Sequence, residues 1–119
     1  MSPEKARVFV AEDDKDWQDM IKEFLEMAGH SVVASSTTLP DALATVKRLD
    51  KLHVDVAVID GNLNEFDSDG YDGQSVLRAI REHAPRVRTV GMSGNPVRGT
   101  DVDLGKANLQ NIGDVVTKL

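Results

Sequence analysis

The sequence predicts an α/β domain: a doubly wound, five-stranded parallel sheet with helices on both faces. Three observations carry that expectation. Short β-rich apolar runs alternate with amphipathic segments along the chain. One run, Val54 to Ile59, is apolar almost throughout, as a central strand covered on both faces must be. Acidic or hydroxyl residues recur where the runs end.

The elements follow in order. Arg7 to Ala11 reads as a buried strand ending in Glu12-Asp13-Asp14. Asp16 is placed as the cap of a first helix, with Trp17, Met20, Ile21, Phe24, Leu25 and Ala28 on one face and Gly29 as its terminator. Ser31 to Ala34 gives a second strand. Thr38 caps a helix with Pro40 in its first turn and an apolar stripe of Leu39, Ala42, Leu43, Val46 and Leu49. The Val54–Ile59 strand ends at Asp60, and a polar loop runs from Gly61 to about Gly73. Gln74 to His83 reads as a helix, with Val76, Leu77 and Ile80 inward and Pro85 beyond its end. Thr89 to Met92 is a fourth strand ending at Ser93-Gly94, and Asn95 to Asp101 is loop. Val102 to Leu104 is a brief fifth strand, and Leu109, Ile112, Val115, Val116 and Leu119 share the face of a closing helix.

The 119 residues suffice for one domain, residues 1–119, with one core. The 40% apolar and 29% charged residues are globular proportions and argue against a disordered or fibrous chain. Twenty acidic against 14 basic residues leave a net charge of −6, which argues against direct nucleic-acid binding or an anionic membrane as partner. The chain has no cysteine, so disulfides, thiolate metal sites and cysteine nucleophiles are out. Met1 to Lys5 begins no apolar leader, and no run approaches a membrane span, so a cytoplasmic protein is expected. His30, His53 and His83 read as ordinary surface residues. Trp17, close behind the Glu12-Asp13 pair, reads as core or boundary packing and as a fluorescence reporter for that pair.

In a parallel sheet the ligand crevice lies at the C-terminal strand ends, near the switch in strand order. The first strand would deliver Glu12 and Asp13 there, the third Asp60 and the fourth Ser93. Carboxylates gathered at one edge repel one another, and burial worsens the repulsion. A hard divalent cation relieves it, and oxygen-only ligands with room for water suit Mg²⁺ better than zinc.

On these residues the chain resembles the receiver domains of two-component response regulators, a CheY-like superfamily with a flavodoxin-like sheet. Val8 to Asp14 is similar to their first strand and acidic pair, and Val56 to Leu63 to their phosphoacceptor strand. Asp72 to Arg81 resembles their Asp-Gly turn and third helix, and Thr89 to Gly94 their strand ending in a switch hydroxyl. The resemblance implies a phosphorelay signalling domain rather than an enzyme, taking part in its own phosphorylation and dephosphorylation. It implies Asp60 as phosphoacceptor, served by a sensor histidine kinase or a histidine phosphotransfer protein. Asp13 and Asp60 would ligate Mg²⁺ directly, Glu12 through water, and Asn62 through its backbone carbonyl. Ser93 would contact a phosphoryl oxygen, as would a lysine.

Two lysines compete for that last role. Lys106 follows the fifth strand and leaves a closing helix after it, which favours it; Lys118 would end the chain just beyond its last strand. The implied output is a downstream partner protein, with the domain a monomer or weak dimer.

Three departures from the family pattern stand out. The loop from Asp60 to Asp72-Gly73 is longer by about five residues, is acidic (Glu65, Asp67, Asp69), and has Asn64 in place of the usual proline. With Lys106 in the site, the spacing from Ser93 is short by about nine residues, so the fourth family helix is short or absent. The aromatic switch position then falls on Asp103, or on Val115 for Lys118. These departures keep a second reading open, a degenerate receiver binding partners without phosphorylation. A Mg²⁺-dependent phosphohydrolase fits less well, because neither Asp13 nor Asp60 is followed by a second acid at the spacing such sites use.

Overall fold

The computed structural model describes residues 5–60, 71–92 and 97–119, with the side chain of Tyr71 left aside. Five parallel strands form one sheet in the order β2-β1-β3-β4-β5. They are β1 (Arg7–Ala11), β2 (Ser31–Ser36), β3 (Val56–Ile59), β4 (Arg88–Gly91) and β5 (Val102–Asp103). The helices are α1 (Lys15–Met27), α2 (Leu39–Val46), α3 (Tyr71–His83) and a short α4 (Ile112–Thr117), which a 3₁₀ segment, Lys106–Asn111, precedes. This is the doubly wound arrangement that the alternating pattern requires.

The period-two alternation of the strands separates two cores. Phe9, Ala11, Ala57 and Ile59 face α2 and α3, packing with Val46, Leu49, Val76, Leu77 and Ile80. Val8, Val10, Val56, Val58 and Val90 face the other way, against Ile21 and Leu25 of α1 and Ile112 and Val116 of α4. Phe9 is fully buried, and Phe9→Ala would cost about 3–5 kcal/mol. One sheet with two apolar faces fixes which residue of each strand points where, so a one-residue slip would invert both cores.

Local chemistry sets the helix ends. Asp14, not Asp16, caps α1: its carboxylate accepts the backbone N–H of Asp16 at 2.9 Å and of Trp17 at 3.2 Å. The buried face of α1 therefore includes Gln18, Ile21 and Leu25, while Met20 and Ala28 lie exposed. Gly29 ends the helix at φ 93°, a conformation that glycine adopts without strain. Thr38 caps α2 by accepting the Asp41 N–H. Helix α3 starts at Tyr71, so Asp72 and Gly73 belong to its first turn and not to a loop. The closing helix begins only at Ile112, because the 3₁₀ segment takes Leu109 as its buried residue.

Between β4 and β5, none of the described residues 97–101 is helical. Asp101 ties the end of the described stretch back to β4: its carboxylate accepts both the backbone N–H and the hydroxyl of Thr89, and its own N–H donates to the Thr89 hydroxyl. Along β2 the pairing with β1 jumps from Val8↔Val32 to Phe9↔Ala34, leaving Val33 as an extra residue in the edge strand.

His30 is not a surface residue. It is 3% exposed, its Nδ1 accepts the Ala6 N–H at 2.9 Å, and its Nε2 lies 3.1 Å from the Gly113 carbonyl. His53 and His83 are exposed, as expected.

Candidate functional site

The hydrogen-bond ladder runs one residue past each central strand and sets the site. Glu12 N–H donates to Ser36 O, Asp60 N–H to Ala11 O and Met92 N–H to Ile59 O, at 2.8–3.0 Å. Glu12 and Asp60 thus emerge on neighbouring strands at the C-terminal edge, where the strand order reverses between β1 and β3. Asp13 stands between Glu12 and the capping Asp14. Oxygens of Glu12, Asp13 and Asp60 lie within 4.8 Å of one another. Glu12 is fully buried, Asp60 is 2% exposed, and Asp13 is half-buried.

Lys106 reaches this group from the segment that follows β5. Gly91 O accepts the N–H groups of both Leu104 and Gly105, which fixes the chain just before the lysine. Its ammonium lies 3.1 Å from Glu12 Oε1 and 3.6 Å from Asp60 Oδ2. It also lies 5.1 Å from the centroid of the Trp17 ring. Lys118 is exposed at the end of α4.

One ammonium does not balance three carboxylates. Burial, and then the neighbouring Asp60 carboxylate, push the Glu12 carboxyl up to about 8 despite the opposing pull of Lys106. Asp13 is also raised, by burial and then by Asp60. Burial works to lower the Lys106 ammonium, but the attraction of Asp60, Glu12 and Asp13 outweighs it and the net displacement is upward. Among the described residues, no donor reaches the buried Glu12 Oε2. An orphaned buried oxygen beside two further carboxylates is the donor set a hard divalent cation relieves, and the residues present fit one. All the donors are oxygen, so the set suits Mg²⁺ and not a softer metal.

Of the residues the sequence singles out, Glu12, Asp13, Asp60 and Lys106 come together; Asn62 and Ser93 lie outside the described residues. Two contributors are not anticipated. Gln18 is buried one helical turn past the cap, and its amide donates to Ser36 O at 3.2 Å and toward Glu12 O at 3.4 Å, closing the ends of β1 and β2. The spacing from Asp14 as cap carries that signal, hidden when Asp16 is taken as the cap. The Trp17–Lys106 contact joins residues far apart in the chain and leaves no local trace in the sequence.

Compared with known proteins, residues 8–118 match the family model described as the response regulator receiver domain. The chain belongs to this family. Receiver domains are signalling domains of two-component systems, and the fold agrees with solved members. The signal receiver domain of NarL from Mycobacterium tuberculosis superposes with a TM-score of 0.72 at 21% identity, over 98% of each chain. A CheY-like receiver domain protein from Methanospirillum hungatei gives 0.70 at 18% identity, over 95% of this chain and 94% of that one. A CheX–CheY complex with BeF₃ and Mg²⁺ from Borrelia burgdorferi gives 0.64 at 16% identity, over 76% of this chain and 63% of that one. No curated protein matches the chain. Among the described residues no helix is long and apolar enough to cross a membrane.

Proposed function

We propose that this receiver domain, residues 1–119, accepts a phosphoryl group on Asp60 and uses it to switch a partner-binding surface. The observation that carries the reading is the approach of Glu12, Asp13 and Asp60 to one another with the Lys106 ammonium 3.1 and 3.6 Å from two of them. Phosphoryl transfer spreads negative charge over the equatorial oxygens, so a site for it needs positioned cations more than covalent chemistry.

Asp13 and Asp60 would hold Mg²⁺ directly, Glu12 through water, and the Asn62 carbonyl would complete the set. Bound there, the ion supplies charge neutralisation for the incoming phosphoryl group. Asp60 forms the new P–O bond as the P–N bond of a donor phosphohistidine breaks, the nitrogen keeping the electron pair. Lys106 neutralises a phosphoryl oxygen and Ser93 donates to another. The donor is a sensor histidine kinase or histidine phosphotransfer protein, and the receiver of the signal is a downstream output protein. The setting is cytoplasmic, with the domain a monomer or weak dimer and no direct contact with nucleic acid or membrane.

Incubation with acetyl phosphate and Mg²⁺ tests this. The native chain should gain the mass of one phosphoryl group and Asp60→Asn should gain none. A native chain that takes up no phosphate, or a variant that still does, defeats the proposal. One observation favours a second reading: Asp103, on the exposed edge of β5, stands where the family carries an aromatic switch residue. Equal capture of a partner by the native chain and by Asp60→Asn would favour binding independent of phosphorylation.

A further inference from the structure

We infer that Trp17 is a positioning residue for Lys106, holding the lysine ammonium over the acidic cluster through the face of its indole ring. The inference rests on the proposed phosphoacceptor role of Asp60 and extends it to a residue outside the acidic set.

The argument starts from what restrains Lys106. Its backbone is anchored before the side chain by Leu104 and Gly105 on the Gly91 carbonyl, and Asn108 Nδ2 donates to Leu104 O at 2.9 Å. Beyond the Cα, four rotatable carbons separate that anchor from the ammonium, whose partners among the described residues are Glu12, Asp60 and the Trp17 ring. Gly105, at φ 80°, opens the 3₁₀ segment with no side-chain cap, so Lys106 stands in the first turn of an irregular element. The ring is better fixed. The Trp17 backbone N–H donates to the Asp14 carboxylate, which fixes the helix start, and the half-buried indole packs against the core that α1 and α4 share. A centroid-to-ammonium distance of 5.1 Å lies inside the range where the ring quadrupole attracts a cation.

The two kinds of partner behave differently during transfer. To reach a phosphoryl oxygen on Asp60, the ammonium must turn away from Glu12 Oε1, its 3.1 Å partner. The ring attraction has no single acceptor atom and survives such a turn, so it restrains the ammonium in both arrangements. The carboxylates supply the charge; the ring confines the arc through which the ammonium swings.

The test compares the native chain with Trp17→Phe and Trp17→Leu, each shown by circular dichroism to be folded. The rate constant with acetyl phosphate and the Mg²⁺ concentration for half-saturation are measured for each. Trp17→Leu should react about fivefold more slowly, with Trp17→Phe keeping most of the native rate and the half-saturating Mg²⁺ unchanged in both. Trp17 is the sole tryptophan, so its emission is a direct signature. Lys106→Met should shift that emission in the absence of any phosphodonor. Equal rates for the native chain and Trp17→Leu overturn the inference, and so does Trp17→Phe as slow as Trp17→Leu, which would make the ring mere filling. An emission unmoved by Lys106→Met overturns it as well. In all three cases Asp60 phosphorylation itself stands, whereas a native chain that takes no phosphate defeats the proposed function and this inference together.

Discussion

His30 and Gly113 stand 83 residues apart in the chain, yet the imidazole Nε2 of one lies 3.1 Å from the carbonyl oxygen of the other. Because Nδ1 accepts the Ala6 N–H, the ring proton sits on Nε2 and donates to Gly113 O, with the Thr117 hydroxyl 3.0 Å away. A single buried side chain thus joins the start of β1 to α4.

Removing that tie should be costly. His30→Ala leaves the Ala6 N–H and a cavity unfilled, and should lower stability by about 2–4 kcal/mol, read from the urea midpoint. Thr117→Val, which spares the ring, should cost only about 1 kcal/mol. Equal midpoints for His30→Ala and the native chain would show that the bond contributes nothing.

Gly113 makes a second close approach on the same helix. A Cβ there would lie 2.5 Å from the Ala28 Cβ, at the end of α1. Gly113→Ala should destabilise the fold by about 1–3 kcal/mol, and adding Ala28→Gly should restore part of the loss. Strict additivity of the two changes would argue that the helices do not meet there.

The acidic cluster sets a pH dependence whose sign is fixed. The Glu12 carboxyl stands at about 8 in the folded chain against an ordinary 4.5, through burial first and Asp60 second. Between those values the folded chain holds a proton that the unfolded chain has lost, so metal-free stability is full below the lower value and falls as pH rises toward the upper one. Asp13 is displaced in the same direction. Thermal melts in chelator should therefore show Tm declining across this window, and excess Mg²⁺, which binds the ionised set, should reduce the decline. Glu12→Gln should flatten the metal-free profile and weaken the Mg²⁺ response. A metal-free Tm that climbs with pH would contradict the burial of these acids.

The two candidate lysines separate kinetically. Lys106→Ala should slow phosphorylation by acetyl phosphate by about tenfold or more, since it removes a cation from the place where charge develops. Lys118→Ala, at an exposed position, should stay within about twofold of native. The reverse pattern would move the role to Lys118.

Residues whose consequences are local were legible in the sequence. The alternation in Val8-Phe9-Val10-Ala11 and Val56-Ala57-Val58-Ile59 gives both sheet faces, and strand ends at Glu12 and Asp60 follow from where the apolar runs stop. Helix limits were less legible. Asp14 and Asp16 are both acceptable caps by type, and only the backbone geometry selects Asp14. Tyr71 and Asp72 extend α3 backward because Gly73 is tolerated inside a helix whose apolar face is well packed. The burial of His30 is not legible locally, because its three partners come from residues 6, 113 and 117 and no window of sequence holds them together. The same reason hides the ring over Lys106 while the acids themselves, tied to strand ends, could be named in advance.

The extra Val33 in β2 bears on how copies of this domain meet. A sheet with free margins invites another chain to add a strand, and that route leads toward fibres as readily as toward dimers. Here one margin is a strand of two residues, Val102–Asp103, too brief to template a partner. The other carries a kink between Val32 and Ala34 that breaks the regular spacing of its outward amides and carbonyls. Both borders of the sheet are thereby blunted, and crowded copies are steered toward meeting through helices and loops instead of zipping strand to strand.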